Sequence, residues 1–291
     1  MKKSRIPVFN IDKFGHEDHA EDFYANIISL HLKHHHFINT PHKHDFYLCM
    51  LFTRGKGSHE IDFVKYAVSP GSVFFMSPGQ THGWELSGDI EGYIFFHTKE
   101  FFDLHFTSLQ IAHYPFFGRI ENSRRIQLKK RDQDETEKQF AAILAEHKEE
   151  KSMKGHKLRA LVNALYIDIA RLCKPAVEEA ASPAYLTKLR EFEELLDEQY
   201  GNIKFAAEYA QRLNISERHL NRICKECLDK TTSEVIADRI LLEAKRLLVN
   251  TAKTISEIAL ELGYEDNAYF SRLFRKRTGD TPVGFRKKNA P

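Results

Sequence analysis

Three kinds of side chain could do chemistry in this 291-residue chain: histidines, one cysteine pair, and basic and amide residues at helical spacing. His42, His44 and His82 carry ring nitrogens that can hold a divalent metal or hydrogen-bond a ligand. Aromatic rings, which can stack on the faces of sugars, lie in the same stretch: Tyr47, Trp84 and Tyr93, with Phe74 and Phe96. Together His42, His44, Tyr47, His82, Trp84 and Tyr93 form the candidate effector pocket. His34-His35-His36 reads as a polar loop or strand end. Cys224-Lys225-Glu226-Cys227 has the spacing of a redox or zinc pair. It lacks a second ligand pair, and its cysteines sit three apart on one helical face, so they read as packing residues.

The elements that must position these groups differ between the two halves. Thirteen of the 16 histidines precede Tyr114, and aromatic density falls beyond it. From about His42 to His97 the chain reads as short strands: the apolar run Phe46–Phe52, the loosely alternating Ser58–Tyr66, Val73–Met76 between Pro-Gly turns, and Ile90–Phe96. Such spacing without helices predicts a β-sandwich or small barrel. Helices follow. Asp132–Lys151 places Phe140, Ile143, Leu144 and His147 on one face, and Lys154–Cys173 carries a near-heptad stripe of Leu158, Leu161, Val162, Leu165, Ile169 and Leu172. Ser152–Gly155 turns them into a hairpin, whose stripe either packs on its own domain or meets a partner helix in a homodimer. Phe101, Phe102, Phe106, Phe116 and Phe117 are expected to seal the barrel against these helices. Cys173–Pro183 is the linker candidate, and Ala184 onward is helical in pattern.

The last hundred residues resemble themselves. Tyr209-Ala-Gln-Arg-Leu213 matches Ile258-Ala-Leu-Glu-Leu262 at an offset of 49, and His219-Leu-Asn-Arg-Ile223 matches Tyr269-Phe-Ser-Arg-Leu273 at an offset of 50. Asn214 and Gly263, residue types that take left-handed backbone, close the first helix of each copy. Ser216 and Asp266 cap the next helix, and Thr254 with Glu257 and Thr231 with Glu234 read as capping boxes. Ala210 and Ala259 allow two crossing helices to approach closely. The pattern is a pair of helix-turn-helix units joined by a long helix, Thr231–Asn250. With Leu220/Ile223 and Phe270/Leu273 inward, the 3.6-residue period turns Arg218, Asn221, Arg222 and Lys225 outward in the first copy. In the second it turns out Asn267, Tyr269, Arg272, Arg275 and Lys276. Arginine and asparagine can pair bidentately with guanine and adenine, while lysine and the remaining arginines suit phosphates.

Thr254-Ile-Ser-Glu-Ile-Ala-Leu-Glu-Leu-Gly-Tyr-Glu-Asp-Asn-Ala-Tyr-Phe-Ser-Arg-Leu-Phe-Arg-Lys-Arg-Thr-Gly-Asp-Thr-Pro-Val-Gly-Phe-Arg286 closely resembles the signature of the AraC/XylS family of bacterial transcription regulators. The resemblance spans about 186–288 and implies two helix-turn-helix units entering successive major grooves on one DNA face. It places Arg218, Asn221 and Arg222, then Tyr269 and Arg272, where such proteins read bases. Asp229 stands where a glycine usually closes the first recognition helix. Upstream, Pro41-His42-Lys43-His44 and Gly71 through Pro78-Gly-Gln-Thr-His82 resemble the two motifs of a cupin barrel, which many regulators of this family carry as a sensor and dimerisation unit. A metal-dependent cupin would use His42, His44, a glutamate a few residues later, and His82. Here Tyr47-Leu-Cys-Met50 follows without a glutamate, so no metal, cofactor or catalytic residue is expected.

The expected architecture is α+β and multidomain: a cupin-like β-barrel over 1–130, a helical hairpin over 131–174, a linker over 175–185, and an all-α double helix-turn-helix domain over 186–291. Net charge is only +2, but the last 21 residues carry +6 and the rest −4, which suits a polyanion site built into one domain. The longest apolar run, Tyr47–Phe52, is far short of the roughly 20 residues a membrane helix needs. No signal-peptide stretch follows Met1-Lys-Lys3, and four unframed cysteines fit a reducing compartment, so a cytoplasmic protein is expected. The function expected is a non-enzymatic, sequence-specific transcription regulator that responds to a small molecule, with a carbohydrate as one candidate class. Its expected partners are promoter DNA, the effector, a second copy of the chain, and RNA polymerase. The rival reading is a metal-dependent cupin enzyme with an accessory helical domain.

Overall fold

Strands such as Tyr47–Phe52 and Ser72–Met76, apolar or buried on both faces, can persist only if something covers both faces. The computed structural model describes residues 7–14, 22–103, 111, 114–117, 124–173 and 182–289. The expected linker lies outside these as far as residue 181, as do Phe106, Met1–Ile6 and the last two residues. The described residues fall into two compact units, 7–173 and 182–289.

In the first unit the strands are β1 (Val8–Phe9), β2 (Phe23–Ile27), β3 (His42–His44), β4 (Tyr47–Arg54), β5 (Gly57–Ile61), β6 (Val64–Val68), β7 (Ser72–Met76), β8 (Thr81–Leu86), β9 (Glu91–His97) and β10 (Arg125–Gln127). Its helices are α1 (Ile28–His34), α2 (Lys99–Asp103), α3 (Lys130–Lys148) and α4 (Lys154–Leu172). Two five-stranded sheets form, ordered β1-β3-β8-β5-β6 and β10-β7-β4-β9-β2. The β-rich domain is thus a sandwich of two sheets, and among the described residues the strands do not close hydrogen bond by hydrogen bond into a barrel. Ser58–Tyr66 is two strands rather than one: Asp62 and Phe63, both at positive φ (47° and 70°), make a tight turn between β5 and β6.

Strand alternation sorts the core into two layers. Leu48, Met50 and Phe52 of β4, with Phe74, Met76, Ile94 and Phe96, meet Ile61, Val68 and Ile28. Tyr47, Cys49 and Leu51, with Val73, Phe75 and Phe95, meet Phe140, Ile143 and Leu144 of α3 and Leu158, Val162, Leu165, Tyr166 and Ile169 of α4. Phe101, Phe102, Phe116 and Phe117 join this second layer. The stripe of α4 therefore packs on its own domain. Leu161 is half-buried against the same core, and Leu172 is exposed.

The second unit is helical: α5 (Pro183–Gln199), α6 (Ala206–Arg212), α7 (Glu217–Leu228), α8 (Thr232–Asn250), α9 (Ile255–Glu261), α10 (Asn267–Thr278) and α11 (Pro282–Asn289). The repeat is written into the backbone. Asn214 (φ 55°) and Gly263 (φ 76°) are both left-handed, and Ile215 N–H donates to Ala210 O as Tyr264 N–H does to Ala259 O. Both capping boxes, Thr231/Glu234 and Thr254/Glu257, are formed. Asp229 adopts the same left-handed C-cap (φ 52°) that Gly279 supplies in the second copy (φ 81°). α7 therefore ends where α10 does, without the glycine. Arg239 ties α8 to the end of α5: it pairs with Asp197 at 2.7 Å, with Glu243 at 3.2 Å, and lies over the Tyr200 ring. Among the described residues no helix is long and apolar enough to cross a membrane.

Candidate nucleic-acid interface and histidine cluster

Ser216 accepts from His219 N–H and starts α7; Asp266 accepts from Ala268 and Tyr269 N–H and starts α10. Leu220, Ile223, Cys224, Cys227 and Leu228 bury one face of α7, and Phe270 and Phe274 one face of α10. Both members of the CxxC pair are thereby core residues, and both are free thiols. On α10 what faces water is basic, with Arg272, Arg275 and Lys276 exposed beside Asn267 and Tyr269; on α7 Arg218, Arg222 and Lys225 are exposed together with Glu217 and Glu226.

The two faces are not equally free. Arg272 has an ion pair at 3.6 Å with Asp266, in which both side chains are largely exposed. Arg222 lies over the Tyr185 ring, 5.4 Å from its centroid. Lys225 donates to Asp229 O at 3.1 Å, and Asn267 donates to Ser256 at 2.8 Å. Asn221, expected to face outward, is half-buried, and its Oδ1 accepts from Thr232 N–H at 3.1 Å. It holds the first turn of α8 because the left-handed exit at Asp229 folds that turn back beside it. Arg286, counted within the basic terminus, is likewise structural: it donates to Leu248 O at 2.8 Å and Lys253 O at 2.6 Å.

In the β-rich unit, register brings histidines together. His42 stands opposite His82 between β3 and β8, and His59 opposite Trp84 between β5 and β8. His59 Nε2 and His82 Nδ1 are hydrogen-bonded at 2.9 Å. The rings of His42 and His82 lie 4.2 Å apart, and those of His44 and His82 5.1 Å. His42 Nδ1–H donates to Thr40 O and His44 Nδ1–H to Phe46 O, so each presents a lone pair at Nε2. Burial pushes all four rings toward neutrality: His42 to about 4, His44 and His59 to about 3, and His82 well below its usual value. His44 Nε2, His59 Nδ1, His82 Nε2 and Trp84 Nε1 are buried without a hydrogen-bond partner. His59 escaped the sequence reading, although its alternation with Ile61 was a usable signal. Among the described residues no group of three or more His, Cys, Asp or Glu side chains is placed to hold a metal ion.

Tyr47 and Tyr93 do not join this cluster. Their neighbours Leu48 and Ile94 point between the sheets, so the two tyrosines emerge on the opposite face, against the helical layer. Tyr47 stacks on His97, and Tyr93 packs near Phe140. Phe74 and Phe96 are core residues between the sheets. His31 and His35, from the histidine-rich stretch, belong to a small network with Tyr24. A separate surface recess of about 270 Å³ is lined by Ser58, Glu60, Lys65, Thr81 and Glu85 among others, which alternate with His59 and His82 and so lie on the face of the sheet away from the histidine cluster.

Residues 26–162 match the family described as AraC-like ligand binding domain, and residues 209–288 match a helix-turn-helix domain family. The HTH-type transcriptional activator RhaR of Mannheimia succiniciproducens is 21% identical over 248 residues, covering 85% of this chain and 87% of its own length. The arabinose operon regulatory protein of Salmonella typhimurium is 22% identical over 255 residues, covering 86% of each. Among solved structures, the C-terminal domain of AraT, a response regulator from Geobacillus stearothermophilus, is 26% identical at a TM-score of 0.35, covering 38% of this chain and 88% of that one.

Proposed function

We propose, from the premise that the chain belongs to the AraC family of helix-turn-helix transcription regulators, a division of labour among its exposed residues. Arg218 and Arg222 on α7 and Tyr269 and Arg272 on α10 read base edges, while Lys225, Arg275 and Lys276 neutralise phosphates. Asn221 and Asn267 position these faces through their bonds to Thr232 and Ser256. The observation that carries this reading is the repeat of one frame, cap for cap and turn for turn, beneath two solvent-facing surfaces that each present arginine and lysine.

The ligand-binding domain takes its effector against the unpartnered nitrogens of His44, His59, His82 and Trp84. Buried polar atoms without partners call for a bound molecule that supplies them. Lone pairs at His42 and His44 accept from hydroxyl groups, and Trp84 N–H donates to them. A relative named for an arabinose operon supports a carbohydrate as the effector class. The chain acts in the cytoplasm as a homodimer, without enzymatic activity, and contacts RNA polymerase, a reading supported by the naming of one relative as a transcriptional activator. Since the stripe of α4 is used within its own domain, the dimer forms through another surface. Effector binding shifts the populations of protomer arrangements and so which sites both protomers reach.

Two measurements test the reading. Selection from duplexes of random sequence should enrich a defined motif, and enrichment of none refutes the DNA-reading assignment. Calorimetric titration with a panel of pentoses and hexoses should give a ligand whose binding is lost in His44→Phe. Binding unaffected by that change moves the effector elsewhere.

A further inference from the structure

The turn between α5 and α6, residues 200–205, lies against the turn of the second helix-turn-helix unit. Three observations establish this contact. A Cβ added to Gly263 would sit 2.1 Å from Gly201 O and 2.9 Å from Lys204 Nζ. A Cβ added to Gly201 would stand 3.6 Å from Glu261 O. The Lys204 ammonium lies over the Tyr264 ring, 5.5 Å from its centroid. The same ammonium donates to Tyr200 O and to Gly201 O, closing the carbonyl end of α5. One half-buried cation thus holds the end of α5 with its hydrogen bonds and the second unit's turn with its charge. Burial lowers its pKa to about 8, yet no carboxylate is among the partners described for it. A lysine kept in such a place serves geometry rather than an ion pair.

The contact closes a loop of elements. α6 and α7 reach α9 and α10 through α8, a helix of 19 residues and so roughly 28 Å long. A single rod joined at its two ends leaves the rotation of one unit against the other to the packing at those ends. A second point of attachment away from the rod removes that freedom. From Tyr264 the contact continues to Tyr269 and Phe270, at 6.0 and 5.6 Å between ring centroids, and so into the first turn of α10.

We propose that Lys204 is a positioning residue that sets the spacing between the two blocks of base pairs the chain reads, acting with α8 rather than through it. The proposal rests on the tandem-reading assignment, and its test separates the two. The full chain and Lys204→Met are each taken through selection on duplexes carrying 30 random base pairs, and the distance between enriched blocks is tabulated. The parent chain should give two blocks at one spacing. Lys204→Met should keep both blocks and their base preferences, but its preference for that spacing over neighbours one base pair longer or shorter should fall about tenfold, the loss expected for one half-buried cation–π contact. Should Lys204→Met fail to fold by thermal melting, Lys204→Gln, which keeps a donor of similar length, is the working variant. A folded variant that retains the parent's single spacing overturns the proposal. A parent chain that enriches only one block overturns the tandem reading itself, and with it this role for Lys204.

Discussion

Replacing Arg272 with alanine should separate recognition from stability. The guanidinium is 69% exposed, and the protein contact described for it is the pair with Asp266 Oδ2 at 3.6 Å. The helix cap uses the other oxygen, Asp266 Oδ1, which accepts from Ala268 and Tyr269 N–H at 2.7 and 3.0 Å. Losing the arginine therefore leaves the cap intact. A surface pair of this kind contributes about 0–1 kcal/mol, and alanine in an exposed helix position returns part of it. The melting temperature should move by no more than about 4 °C. On the proposed reading the same change also removes a bidentate contact to a base edge, worth about 1–3 kcal/mol, or roughly 5- to 150-fold in affinity for a duplex carrying the preferred base. The assay is fluorescence anisotropy with the selected duplex and with variants substituted at each position. The mutant should lose affinity for the preferred sequence and discriminate less at one position only. Lys276→Ala supplies the contrast: it should weaken all duplexes alike and reduce the slope of log affinity against log salt by about 1. A folded Arg272→Ala chain that binds with the parent's affinity and preferences refutes the assignment of α10 as a reading helix.

Two further outcomes follow from buried groups. Asn221→Ala removes the acceptor for Thr232 N–H, on a residue only 1% exposed, so the helical unit should lose about 1–2 kcal/mol in denaturant unfolding; unchanged stability with lost DNA binding would make Asn221 a reader instead. The neutral histidines predict acid sensitivity. His42 and His97 stand at about 4, and His44 and His59 at about 3, against about 6.5 in the unfolded chain. Because the unfolded chain takes up protons first, the stability these groups contribute is complete above pH 6.5 and is lost as pH falls toward 4. One such ring costs about 2 kcal/mol between pH 7 and pH 5. Thermal melting of the full chain at pH 7, 6 and 5 should show a progressive decline, and a flat profile would contradict the burial of these rings.

The helical half was legible because its signals are local. Asn214, Ser216, Gly263 and Asp266 each act within a few residues of themselves, and the repeat doubled every one of them. The β-rich half was legible in class but not in facing. Tyr47–Phe52 is apolar throughout since sheet and helices cover its two sides, and so no alternation tells one side from the other. Tyr47 was accordingly grouped with His42, which points the opposite way. The Asp62-Phe63 turn was hidden because neither residue is the glycine or asparagine that marks such turns. Asn221 looked like a reader because its partner, Thr232, belongs to the next helix. The Lys204 contact joins residues about 60 apart, a distance that no local pattern spans.

The two copies follow one another along the chain, and they differ in what they expose. Glu217 opens α7 where Asn267 opens α10, and Asp229 closes one where Gly279 closes the other. A chain that reads DNA with unlike units in series has a front and a back. Turning its binding site end for end would not give the same complex but one pointed the other way along the duplex. On the proposed reading the chain carries a compass bearing, and the direction in which it points when bound is fixed by the order of its own helices.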